Sequence, residues 1–311
     1  MNEAVAPAGL RWWFPSVPAD RLSMLRLLVG LYSVIYLAIR LRHLMSFANY
    51  QAVQFQPVGP LAWMKAPFDP TLFRILVVLT FATSIAFFVG WAYRVTAPIF
   101  GVLLLVVLTY ANCWGGILHS ENLWLIHVLI LACAPAAATL SLDARSREPV
   151  PSPHFKYGWA IRLMCWVCVA TYFLAGLAKL KNGGLGFIEG ESLRNYVALD
   201  SVRKIELGSL HSPISSLLLP YASVFQGLAM FSLALELGAP LVMLQEKVAK
   251  VWAFLMWGFH LGVLALMAIL FSYPIAFIAF APFFRTERLA TWVRRTILRV
   301  PNPTAPAPSP G

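Results

Sequence analysis

The chain has 311 residues, of which 59% are hydrophobic and 12% charged, with a formal net charge of +11. An ordinary soluble domain carries about 25% charged residues, so this composition excludes that class and predicts an all-α, polytopic integral membrane helical bundle. The basic residues crowd the ends of the apolar runs and the C-terminal tail, where headgroups and topology signals call for them; the expected partner is the lipid bilayer, and nucleic acid is not expected.

Residues 1–20 form an N-terminal segment ending in Asp20, a helix cap ahead of RLSMLRLLVGLYSVIYLAI. No small-residue cleavage site follows that run, which reads as a retained first span. Further apolar runs lie at 71–90, 95–112, 122–138, 158–180, 217–243 and 249–271, and a shorter one, PIAFIAFAPFF, at 274–284. The transmembrane domain is therefore expected over 21–285, with about seven to eight helices. Eight would place both termini on one side. Arg94, Arg145, Lys247 and the tail arginines would then make that side cytoplasmic.

Beyond the last run, FFRTERLATWVRRTILRV sets Leu289, Trp292, Val293 and Ile297 on one face with Arg288, Arg295 and Arg299 beside them. A basic amphipathic juxtamembrane helix is predicted over 286–299. The Pro-rich tail, 300–311, is expected to be disordered. Cys113, Cys133, Cys165 and Cys168 all lie in or beside apolar runs and read as small packing residues, including the CxxC of Cys165 and Cys168. The sequence contains no internal repeat, P-loop, dinucleotide fingerprint or zinc-ligand spacing, and no metal is expected.

An ionisable side chain at bilayer depth costs on the order of 3 kcal/mol if it faces lipid, so those inside the runs carry the information. Arg26 and Arg162 each fall about one turn inside the cytoplasmic face and Glu236 about two turns from the same face. Matching depth predicts a structural intramembrane ion pair between Glu236 and one of the two arginines. Lys179 lies about 25 Å beyond Arg162 along its helix, near the opposite face, where HSEN (119–122) opens the fourth span and towards which His260 reaches. Each has a plain alternative: Lys179 snorkelling to headgroups, Ser120 capping a helix with Glu121 at its positive end, His260 as a core histidine. Tyr172, Ala175, Gly176 and Lys179 recur at i, i+3, i+4 and i+7, which places two small residues on the lysine's own face and favours a packed helix contact over snorkelling.

YFLAGLAKL with its glycine-rich turn and FIEGESL, HSENLWL, and FHLGVLALMAILFSYPIAFIAFAPFF together resemble the membrane domain of vitamin K-dependent gamma-carboxylases and their bacterial HTTM relatives, and the three lie in the order of that family. The Arg26 segment, SLD at 141–143 and Glu236 are similar to the bacterial branch, so the resemblance covers about residues 20–285 and implies a bacterial plasma-membrane protein. It implies that Lys179 is the base that deprotonates a reduced quinone of vitamin K or menaquinol type, that His119 serves quinone epoxidation, and that His260, which matches a third histidine of that membrane domain, is also catalytic. An amine set in an apolar wall is a chemically sensible base. Two departures temper the resemblance: the large extracytoplasmic domain of the carboxylases has no counterpart here, and their second lysine is replaced by Ala178. A peptide or small-molecule substrate is therefore expected, with a non-catalytic module for maturing or exporting a partner peptide as the alternative. The sequence does not set the oligomeric state.

Overall fold

The computed structural model describes residues 7–117, 119–146, 148 and 153–296. Among these the regular structure is helical, with one isolated bridge between Val17 and His154. Contacts divide the chain into two compact units, Met1–Met164 with Arg285–Gly311, and Cys165–Phe284.

The first unit contains α1 (Ala19–Ser46), α2 (Pro70–Val89), α3 (Tyr93–Ala111) and α4 (Asn122–Ala132). The start of α2 follows from its sequence: Asp69 accepts hydrogen bonds from the amides of Thr71 at 2.9 Å and Leu72 at 3.1 Å, and Pro70 supplies a preset φ. Its end is Gly90, at φ 67, where an added Cβ would lie 2.5 Å from Ser141 Cβ and 2.9 Å from Arg26 Nη1. Only glycine fits both the backbone and the crowding there. Gly30 lets α1 and α2 touch in the same way, since a Cβ at that position would fall 2.8 Å from Phe88 Cα.

Arg26 is fully buried in this unit. Its Nε donates to Ala136 O at 3.1 Å, Nη1 to Phe87 O at 3.0 Å and also to Phe88 O, and Nη2 to Leu140 O. The guanidinium thus occupies the negative end of α2 and binds the chain that follows α4. The SLD motif completes this junction. Asp143 accepts from the amides of Ala92 at 2.8 Å and Tyr93 at 2.9 Å, capping α3, while Ser141 donates to Ala137 O at 2.8 Å.

From the first unit α5 (Gly158–Ile188) continues into the second, where non-helical angles at Gly184 break it. There follow α6 (Glu191–Glu206), α7 (Pro213–Leu218), α8 (Ala222–Leu237), α9 (Glu246–Met267) and α10 (Ser272–Ile275). Phe187, Ala229 and Leu233 form a buried cluster against which Leu180, Ile188, Leu193 and Leu237 pack. Back in the first unit, α11 (Glu287–Thr296) lies on α1, with Ala290 buried and Thr286 Oγ1 donating to Arg21 O at 2.9 Å.

Among the described residues five helices are long and apolar enough to cross a bilayer, and α4 and α8 are shorter apolar helices. This is a polytopic helical membrane bundle. The run at 274–284 is not a helix of spanning length: α10 gives way at Phe277, φ 64, to a 3-10 segment, Ile278–Phe283. The runs at 122–138 and 217–243 are also shorter as helices than as apolar stretches, because turns interrupt both. Within the predicted juxtamembrane helix, Ile297 and Arg299 lie outside the described residues, as does the tail 300–311. All four cysteines are free; Cys113, Cys165 and Cys168 are buried and Cys133 is exposed.

Candidate functional site

The second unit assembles its polar groups on one face of α5. Tyr172, Gly176 and Lys179 follow one another at helical spacing along that face. At the middle position the absent side chain matters most: a Cβ on Gly176 would lie 3.0 Å from Glu236 Cβ and 3.1 Å from Leu237 Cδ2. The glycine brings α8 close enough for the next turn of α5 to reach its carboxylate. Lys179 Nζ lies 2.7 Å from Glu236 Oε1, with Glu236 2% exposed.

Two aromatic rings enclose the ammonium. Phe187 stands 5.4 Å and Phe259 5.3 Å from Nζ, distances at which a ring face attracts a cation. One turn before Gly176, the Tyr172 hydroxyl and His260 Nε2 share a hydrogen bond of 2.8 Å, and His260 is 5% exposed. Tyr172 is itself wedged against Trp252 and Phe280, at 5.4 and 6.1 Å between ring centroids. Trp252 is anchored in turn by donation from Nε1 to Leu235 O at 2.9 Å.

Two polar atoms in this group, Glu236 Oε2 and His260 Nδ1, are buried without a hydrogen-bond partner among the described residues. Buried polar atoms are nearly always satisfied, and an unsatisfied one costs about 1–3 kcal/mol. A carboxylate oxygen accepts, and a ring nitrogen donates or accepts according to tautomer, so together they suit a hydroxyl group.

The family model for the HTTM domain matches residues 14–288. The chain belongs to the HTTM family. This is the domain found in vitamin K-dependent gamma-carboxylase. Comparison with the curated proteins and with the solved structures finds no match.

In this HTTM protein the ion pair expected of Glu236 with Arg26 or Arg162 is replaced by the pair with Lys179. The Arg26 guanidinium is given over to carbonyl oxygens, and Arg162 stacks 5.0 Å from the Trp12 ring. The expectation rested on depth counted along the run 217–243, whereas α8 covers only Ala222–Leu237, and Glu236 and Lys179 share one depth.

His119 lies in the first unit, exposed, in the turn that leads into α4, where its carbonyl accepts from Asn122 N at 3.2 Å. Ser120 does not cap that helix; it donates to Glu121 Oε2 at 2.6 Å, and Tyr36 donates to Glu121 Oε1 at 2.8 Å. His127 is a core histidine, its Nε2 lying 3.3 Å from Met164 O. Tyr172 is the residue that sequence reasoning placed on the right face without giving it a role. Its signal was its spacing from Lys179.

Proposed function

We propose that this HTTM protein is a membrane enzyme that uses a reduced quinone, of vitamin K or menaquinol type, together with oxygen to modify a peptide or small substrate. The observation that carries the reading is the Lys179–Glu236 pair, 2.7 Å long with the carboxylate buried and the lysine half-buried, on the α5 face where Tyr172 meets His260. The residues present fit such a group: the Phe187 and Phe259 rings offer an apolar wall for a flat body, and Glu236 Oε2 and His260 Nδ1 are buried polar atoms whose missing partner a hydroxyl could supply. When bound, a reduced quinone supplies the electrons for reaction with oxygen.

The side chains then have separate tasks. Lys179 and Glu236 act together as the proton acceptor, the carboxylate receiving through its open oxygen while the amine balances charge on the other. Tyr172 fixes the His260 ring through Nε2 and leaves Nδ1 directed elsewhere. The resemblance also gives His119 a role in the reaction, and a His119→Ala variant in the assay below tests that assignment.

The test is quinol-dependent oxygen consumption by the protein reconstituted in liposomes. Wild type should consume oxygen, and Lys179→Ala and Glu236→Gln should each lower the rate on the order of 100-fold or more. Wild-type rates in a folded Lys179→Ala variant would overturn the proposal. A second reading has its own support: the pair closes directly on itself between α5 and α8, as a helix tie does. On that reading the chain is a non-catalytic module for maturing or exporting a partner peptide, and Lys179→Met with Glu236→Leu would retain that role.

A further inference from the structure

The segment between α6 and α8 plays no part in this chemistry, and its surface calls for an explanation. From Leu207 to Tyr221 the chain carries no formal charge with His211 neutral, yet most of its large side chains are exposed. Leu207, Leu210 and Leu217 are 71%, 82% and 70% exposed, and Ile214 and Tyr221 are exposed with them. In water so many exposed apolar side chains in one short segment would be the kind of surface soluble proteins avoid.

Three of its four serine hydroxyls are bonded to carbonyl oxygens, while Ser209 and His211 are exposed. Ser212 Oγ donates to Ala265 O, Ser215 Oγ to Ser212 O at 2.7 Å and Ser216 Oγ to Pro213 O at 2.7 Å. Arg194 reaches over from α6 to donate to Leu219 O at 2.7 Å. Hydroxyls bonded to carbonyls beside outward-facing leucines suit a hydrocarbon solvent.

The segment is also held where a bilayer must be. Leu219, Pro220 and Tyr221 alone separate α7 from the apolar helix α8, a link that spans at most about 10 Å. Ser212 is bonded to the last turn of α9, a helix of spanning length, and Lys204 donates to Met267 O at the same helix end. α7 has 6 residues and cannot itself cross about 30 Å of hydrocarbon.

We infer that Leu207–Tyr221 is immersed in one leaflet of the bilayer, lying along its surface with Leu207, Leu210, Ile214 and Leu217 among the acyl chains. The occupant of this face is lipid, reached by continuity with the lipid-facing surface of the spans on either side. With no charge in the segment, contact depends on acyl chains and requires no anionic headgroup.

An environment-sensitive fluorescent amino acid placed at 210 or 217 in the full chain, with 203 as the polar control, tests this in phosphatidylcholine vesicles. These positions are exposed, so the label displaces no packed side chain. At 210 and 217 the emission should be blue-shifted and quenched severalfold more by lipids brominated in the upper acyl chain than by aqueous iodide. At 203 the order should reverse, and added phosphatidylglycerol or salt should change neither. Dominant iodide quenching at 210 and 217 would overturn the inference. Shielding from both quenchers that grows with the protein-to-lipid ratio would assign the face to a second copy, and would overturn it equally.

Discussion

Gly176 packs so tightly on Glu236 that an added Cβ would lie 3.0 Å from Glu236 Cβ, and this contact sets the reach of Lys179 to its carboxylate. Gly176→Val should therefore push α8 off α5, with a loss of about 1–3 kcal/mol from overpacking. Thermal unfolding in detergent measures the loss. Unchanged stability would mean that α5 and α8 are not packed at this point.

Removing one member of the buried pair should be worse than removing both. Lys179→Ala leaves a carboxylate buried alone, for a loss on the order of 3–5 kcal/mol, whereas Lys179→Met with Glu236→Leu should recover most of it. Unfolding by denaturant compares the three proteins. A double variant no more stable than the single one would refute the pairing as the source of the effect.

At the junction of α1 and α2, charge alone should be insufficient. Arg26→Lys retains a cation but not the planar fork that serves Ala136, Phe87, Phe88 and Leu140 together. A loss on the order of 3 kcal/mol is expected from carbonyls left without donors. Full stability of the lysine variant in the same unfolding assay would show that the fork is dispensable.

Asp143 caps α3 with both oxygens. Asp143→Ala should cost about 1–2 kcal/mol, and Asp143→Asn less, because the amide keeps one acceptor. Equal losses for the two variants would point to charge, and not cap geometry, as the stabilising element.

Hydropathy made the class of fold legible, because crossing hydrocarbon imposes a length and a composition that any apolar run displays. The face of α5 was legible too, since Tyr172, Gly176 and Lys179 repeat at helical spacing. Which residue Glu236 meets was not. Residue counts along an apolar run place a side chain in depth only if the whole run is one helix, and turns at 219–221 and at Gly238 shorten α8. Arg26 was hidden for a different reason: its partners are backbone carbonyls, which every residue possesses and no sequence pattern marks. The segment 274–284 looked like a span because its composition is apolar, but the left-handed turn at Phe277 is set by tertiary packing.

The acceptors of Arg26 also have a consequence in time. Phe87 follows it by 61 residues and Ala136 by 110, so during synthesis the first helix leaves the ribosome well before anything able to receive its guanidinium exists. Release of that helix into lipid would then be delayed until Leu140 has emerged. Nascent chains arrested before and after that point should differ in crosslinking to the insertion machinery, and equal crosslinking would show that the arginine enters the membrane unaided.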